Sequence, residues 1–132
     1  MKHLKKYETI VYSDDVKYEQ IWKKNHLNTT QLMALNKTNF KLDDYVRVIV
    51  NDQYYVNSNG INKNIKNNIF QIKAIDLNNR YYHLTNPEYS FYERYDKKII
   101  MDENQLEKVT DKEGKLYFEF IFMSPDLDKY NI

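Results

Sequence analysis

The sequence predicts an α+β fold, in which a small β-barrel follows an N-terminal segment of two helices. Three observations lead to this expectation. Apolar residues recur at helical spacing before Phe40 and at strand spacing after it. Turn-forming residues interrupt the chain at short intervals from 40 to 109, as in small barrels. With 132 residues, the chain has the length of one domain with one core.

The N-terminal segment combines one short strand with the two helices. Residues 7–12 are β-branched and aromatic, which favours a strand. Ser13 and the two aspartates after it are suited to cap a helix over about 16–25. A second helix is expected to run through Asn36, with Thr29 or Thr30 as its cap.

Period-2 alternation and turn residues define the strands of the barrel. The predicted strands are 46–50, 54–56, 69–75, 80–85, 90–95, 98–101 and 106–109, with a last strand over 115–123. Asn78 and Asn79 are expected to take the positive φ of a hairpin turn. The Asn-rich stretch 51–68 is interpreted as a long exposed loop around its short strand. The resulting units are 1–39, the barrel with its added strand over 40–123, and a tail over 124–132.

The middle of the chain carries an ordered set of short strand patterns. They are Phe40-Lys-Leu-Asp-Asp-Tyr-Val-Arg-Val48, Phe70-Gln-Ile-Lys-Ala-Ile75, Tyr82-His-Leu84 and Leu106-Glu-Lys-Val109. Over 40–109 the chain resembles the small SH3-like barrels of phage proteins, of retroelement integrase C-terminal domains and of ribosome-associated modules. Asp43 stands where that pattern usually has glycine. The resemblance implies a fold and leaves the ligand open.

A second pattern covers residues 7–48. Its parts are Ile21-Trp-Lys-Lys24, Thr29, Leu32-Met-Ala-Leu-Asn36 and Leu42-Asp-Asp-Tyr-Val-Arg-Val48. This stretch is similar to a lysin motif, a βααβ module that binds N-acetylglucosamine glycans and is reused in phage baseplates. Asp15-Val16-Lys17 and Asp43 replace the loop residues, including glycines, that let the sugar approach the backbone. Both resemblances use 40–50, so the sequence leaves open which module holds that strand.

The composition and motifs argue against an enzyme. The chain has 20 Lys and Arg against 19 Asp and Glu, so it lacks the basic excess of a dedicated duplex-DNA binder. It has no Cys, and His3, His26 and His83 are too scattered for a local metal motif. Its two glycines make a phosphate-binding loop improbable. We therefore expect no catalytic residues, no metal and no cofactor.

Source and location are inferred from residue usage. Asn, Lys, Ile, Tyr and Phe are abundant, a bias that matches A/T-rich codons. This bias indicates a low-GC bacterium, its phage or another mobile element. The sequence has no apolar run long enough for a membrane span and no signal-peptide pattern, so we expect a host-cytoplasmic or virion protein.

The thirteen tyrosines suggest a binding surface. Adjacent residues on a strand point to opposite faces, so a small barrel cannot bury both members of each Tyr pair. Exposed Tyr beside Arg is typical of protein interfaces, although A/T codon usage accounts for the same surplus. The expected partner-binding residues are Tyr54, Tyr55, Tyr81, Tyr89, Tyr92, Arg94 and Tyr95.

These observations predict a non-enzymatic protein-binding or structural protein of a low-GC phage or mobile element. A virion component and a host-directed inhibitor are both open, as is the oligomeric state. The alternative is a nucleic-acid-binding SH3-like module that uses Arg80, Arg94, Lys97, Lys98 and nearby tyrosines. The third is a glycan-binding module based on the lysin-motif-like segment.

Overall fold

A computed structural model describes residues 10–14, 27–89 and 98–123. The predicted helix over 16–25 and the predicted strand over 90–95 lie outside these residues, as do positions 7–9 and the tail. No helix within the described ranges is long and apolar enough to cross a membrane.

The described residues form eight strands and two α-helices. The strands are β1 (Ile10–Tyr12), β2 (Tyr45–Val48), β3 (Tyr54–Val56), β4 (Asn62–Asn64), β5 (Ile69–Asp76), β6 (Tyr81–Thr85), β7 (Ile99–Asp102) and β8 (Leu106–Lys108). The helices are α1 (Thr29–Asn36) and α2 (Asp111–Met123), and two 3₁₀ turns lie at Pro87–Tyr89 and Glu103–Gln105. The predicted α+β class is confirmed.

The main sheet has six antiparallel strands, and β5 is at its centre. Strand β6 and then β7 follow on one side of β5. On the other side, β2 pairs with the first half of β5 and β1 with its second half. Strand β8 lies beyond β2. In the described ranges the sheet is open, since its outer strands β7 and β8 do not pair, so the predicted closed barrel is not confirmed.

Within residues 40–50, β2 occupies an interior position of the main sheet. This strand lies between β5 and β8, with Val46 opposite Phe70 on one side and opposite Lys108 on the other. Val46 and Val48 are fully buried. The strand therefore belongs to the main sheet.

The core lies on one face of this sheet and is closed by residues from α1. Its strand residues include Val11, Val46, Val48, Phe70, Ile72, Ile75, Tyr82, Leu84, Ile99 and Met101. Leu35 of α1 and Phe40, just after the helix, join them. The Phe40 ring meets the Tyr82 ring edge-on at 5.3 Å between centroids. The first helix is thereby fixed against the sheet.

Helix α1 has the predicted extent, but its cap is Asn28 and not Thr29 or Thr30. The Asn28 Oδ1 accepts from the Gln31 amide at 2.9 Å, and the Gln31 Oε1 accepts from the Asn28 amide at 2.9 Å. This reciprocal capping box satisfies two backbone donors, those of Asn28 and Gln31. With a threonine as the cap, Gln31 would no longer be the third residue of the helix, so this pair of bonds would not form.

The hairpin between β5 and β6 is confirmed, but its turn differs from the expectation. The residue with positive φ is Arg80, at 57°, and not Asn78 or Asn79. The Asp76 carboxylate accepts hydrogen bonds from the backbone N–H groups of Asn78 and Asn79, both at 3.1 Å. These bonds hold the two asparagines in the first part of the turn. The left-handed conformation is left to Arg80, whose amide donates to the Asp76 carbonyl at 2.8 Å.

The Asn-rich stretch 51–68 is not a simple exposed loop, because β3 and β4 form a hairpin within it. Buried Asn57 organises its turn. The Asn57 Oδ1 accepts from the amides of Asn59 and Ile61, and its Nδ2 donates to Glu88 Oε2 at 3.0 Å. Lys63 Nζ reaches the same Glu88 oxygen at 2.9 Å. The hairpin is therefore attached to the 3₁₀ turn that carries Glu88.

The prediction of a last strand over 115–123 is wrong, because these residues belong to helix α2. The Thr110 hydroxyl accepts from the Glu113 amide at 3.1 Å, and Asp111 and Glu113 place negative charge in the first turn. Gly114, Tyr117 and Phe118 recur at i, i+3 and i+4 on the side that contacts the sheet. The helix is thus selected by its start signal and by tertiary contact.

Candidate protein-binding surface

The predicted partner-binding residues are scattered in the structure. Tyr54 on β3 and Tyr81 on β6 are exposed, whereas Tyr55 packs partly against the core. Tyr89 is 1% exposed and stacks on Phe70 at 5.7 Å, so it contributes to the core and not to a surface. Tyr92, Arg94 and Tyr95 lie outside the described residues.

A larger apolar surface lies on α2. Leu116, Phe120 and Met123 follow one another at i, i+4 and i+7 and are 55%, 54% and 81% exposed. This spacing places them on one side of a helix. We name these three residues the helix stripe. Phe122 is also strongly exposed, but it lies about 120° around the helix from the centre of the stripe. Because the sequence predicts a strand over 115–123, it does not predict the stripe, although the helical spacing of these residues is present in the sequence.

The inner side of α2 contacts the sheet very closely at Gly114. A Cβ atom at this position would lie 2.1 Å from Cγ of Tyr45, so only glycine allows the helix backbone to approach the ring. Next to it, the Phe118 ring meets the Tyr45 ring edge-on at 5.2 Å. Tyr117 and Phe118 pack against a cluster of Tyr45, Ile69 and Val109. This packing fixes which side of α2 faces outward.

Polar groups surround the Tyr117 hydroxyl on the same inner side. Burial, together with the negative charge of Glu88, raises the pKa of the Tyr117 hydroxyl, while the nearby polar groups of Ile69 and Asn86 act in the opposite direction. Asn86 is itself buried, donating from Nδ2 to the Ile69 carbonyl at 2.7 Å and accepting at Oδ1 from the Glu88 amide at 2.7 Å. Asn86 therefore links β5 to the first 3₁₀ turn.

An ion-pair group fixes the start of α2. Arg47 on β2 pairs with Glu107 on β8 at 3.2 Å and with Glu113 on α2. All three side chains are partly solvent-exposed, so these pairs contribute little free energy. Their role is to orient the first turn of the helix against the edge of the sheet.

A separate cavity of about 380 Å³ lies between α1 and the β5–β6 turn. Lys37, Arg80 and Glu103 line it together with apolar residues such as Met33 and Leu77. The volume suits a small ligand, but charges of both signs do not make a basic surface for nucleic acid. Among the described residues, no group of three or more His, Asp or Glu is placed to hold a metal ion.

Of the other nucleic-acid candidates, Lys98 is half-buried. Its interaction with His83 lowers the pKa of that imidazole. Arg94 and Lys97 lie outside the described residues. Arg80 therefore lines the cavity, whereas Lys98 lies near His83, so the two residues are in different environments.

His83 is a half-buried imidazole on the face of β6 opposite Tyr82. Burial, with a smaller contribution from the positive charge of Lys98, lowers its pKa to about 4, and the Asp76 carboxylate acts in the opposite direction. Its ring meets the Tyr12 ring edge-on at 6.4 Å. Within the described part of the chain, its buried Nδ1 has no hydrogen-bond partner. The neutral ring is the form that this site accommodates.

Stability is expected to fall as the pH drops from about 6.5 to 4, because the unfolded chain protonates His83 before the folded chain does. At 1.36 kcal/mol per pKa unit, and allowing for the partial exposure of the ring, we expect a loss of about 2 kcal/mol. Urea unfolding of the protein and of His83→Phe at both pH values measures it. If the variant loses as much stability as the parent, His83 is not responsible.

Comparisons of the chain with protein-family models, with curated proteins and with solved structures gave no match.

Proposed function

We propose that the protein is a non-enzymatic protein-binding protein that acts through the helix stripe. The observation that carries this proposal is the exposure of Leu116, Phe120 and Met123, each more than half accessible on one side of an anchored helix. Contiguous apolar surface on a folded protein marks an interaction site more often than scattered single residues do. A helix with anchors at i, i+4 and i+7 is a common form of protein recognition.

We infer that the fold is an SH3-like barrel with an added C-terminal helix. Two features support this inference. The four strand patterns that carry the resemblance correspond to β2, β5, β6 and β8, which all belong to one sheet. Asp43, at the position where the pattern usually has glycine, has a φ of 70°. Its amide donates to the Ile72 carbonyl at 2.8 Å, which holds the turn before β2 against β5.

The biological setting that we propose is a low-GC phage or mobile element, with the protein acting as a virion component or a host-directed inhibitor. The residue usage supports this setting. Tyr54 and Tyr81 are available as additional contact residues because they are exposed. Tyr54 and exposed Val56 lie on the same face of the β3–β4 hairpin, since their positions on β3 differ by two.

Site-specific photocrosslinking tests the proposal. A photoreactive phenylalanine analogue at position 120 preserves an aromatic side chain on the stripe, and the matched control carries it at exposed Asn104. After irradiation in a low-GC bacterial host, we expect protein adducts heavier than the 16.1 kDa chain from position 120 only. Absence of adducts at position 120, or equal adducts from both positions, would contradict the proposal.

A further inference from the structure

We propose that the partner of the helix stripe is a second copy of this chain, bound through an antiparallel pairing of the two α2 helices about a twofold axis. This inference rests on the proposed function, in which the stripe is a protein interface.

The outer face of α2 points away from its own sheet. At about 100° per residue, Leu116 lies about 160° around the helix from Gly114, and Phe120 lies about 160° from Phe118. Gly114 and Phe118 are the residues that contact Tyr45. A second helix can therefore approach the stripe from the side opposite the sheet.

Two of the three stripe residues, Leu116 and Phe120, match each other in an antiparallel pair. When two identical helices run in opposite directions about a twofold axis, a contact of one residue with a second residue of the partner occurs twice. In the second copy of the contact, the two residues are on the opposite chains. Leu116 then lies opposite the partner's Phe120, and Phe120 lies opposite the partner's Leu116. Each pair brings together two side chains that are more than half exposed in the single chain.

Charge complementarity selects the second copy as the occupant. Lys115 and Glu119 are both exposed, and they lie one turn apart on the same flank of the stripe. In an antiparallel twofold pair, this flank of one helix faces the same flank of the partner helix, and the two flanks run in opposite directions. Lys115 therefore meets the partner's Glu119, and the symmetry forms the same pair a second time. Opposite charges beside an apolar seam determine partner choice and orientation in paired helices.

Analytical ultracentrifugation over a range of about 1 to 300 µM tests the pairing, because an interface of two helical turns is small and we expect micromolar affinity. The parent protein should shift from monomer to dimer across this range. Lys115→Glu and Glu119→Lys each place like charges opposite one another, so each should weaken dimerisation by about tenfold or more. Both positions are exposed, and circular dichroism checks that each variant remains folded.

Two further samples make the test specific for antiparallel pairing. The double variant Lys115→Glu/Glu119→Lys should dimerise like the parent, because both pairs are restored with reversed polarity. An equimolar mixture of the two single variants should form a heterodimer, since one chain then carries two acidic flank residues and the other two basic ones. A charge-independent apolar contact would instead leave both single variants dimerising like the parent.

Several outcomes would overturn the pairing of two copies. They also show whether the proposed protein-binding function fails with it. A parent protein that remains monomeric at the highest concentration contradicts the dimer. A dimer that is insensitive to both charge reversals contradicts the antiparallel arrangement. If position 120 crosslinks only to a different protein, the stripe is still a protein interface and only the second copy is excluded. If position 120 gives no adduct at all, the proposed function fails as well.

Discussion

Gly114→Ala is expected to lower the free energy of unfolding by about 3 kcal/mol, the upper part of the range for overpacked cores. The added Cβ would lie 2.1 Å from Cγ, 2.3 Å from Cδ1 and 2.6 Å from Cβ of Tyr45. The Tyr45 ring has little room to move, because it is buried and meets Phe118 edge-on. Helix α2 must shift away from the sheet or the ring must leave its site.

The sign of this change is informative because helix propensity acts in the opposite direction. At an exposed helical position, alanine in place of glycine stabilises by about 1 kcal/mol. Urea unfolding at low protein concentration measures the net change, with Lys112→Ala on the exposed side of α2 as a control that should stay within about 0.5 kcal/mol. A gain in stability for Gly114→Ala would contradict the close contact between α2 and β2.

Asn86→Ala is expected to cost about 4 kcal/mol. The substitution leaves the Ile69 carbonyl and the Glu88 amide without the partners that they have at 2.7 Å. Each buried polar group left unpaired costs about 1–3 kcal/mol. Asn86 is 1% exposed, so solvent cannot replace the lost partners without a rearrangement.

Thermal and urea unfolding measure the effect of Asn86→Ala, and Asn104→Ala is its matched control. Asn104 is exposed, and its side chain makes none of the contacts that join α2 to the sheet, so its loss should change stability by less than about 0.5 kcal/mol. A cost below about 1 kcal/mol for Asn86→Ala would show that this residue does not link β5 to the first 3₁₀ turn.

The strands with local signals could be predicted from the sequence. The segments 54–56, 69–75 and 80–85 were predicted nearly at their observed bounds, because alternating apolar residues and flanking turn residues lie within the segments themselves. The turn between the last two was harder. Asn78 and Asn79 favour a positive φ, but their hydrogen bonds to Asp76 transfer that conformation to Arg80.

Helix α2 could not be predicted from local preference. The stretch KLYFEFIFM is aromatic and β-branched enough to favour a strand, and Gly114 weakens any helix. The contact of Gly114 with Tyr45 joins residues far apart in the chain, and local pattern does not contain that information. Tertiary contact thus overrides propensity here, and the candidate binding surface was missed together with the helix.

The tyrosines illustrate a second limit of sequence reasoning. Adjacent pairs such as Tyr54 and Tyr55 were expected to point to opposite faces, and the structure places one outward and the other partly against the core. Alternation alone does not identify which member is exposed. Tyr89 was expected at a surface, but its stacking on Phe70 makes it part of the core.

Hydroxyl-radical footprinting of the dilute monomer tests most directly whether α2 is an anchored helix with an exposed apolar stripe. The structure predicts strong labelling of Phe120 and Met123 and weak labelling of Phe118, which packs against Tyr45. A strand would place Phe118 and Phe120 on the same face, because their positions differ by two. Equal labelling of these two phenylalanines would contradict the helix and the binding surface that depends on it.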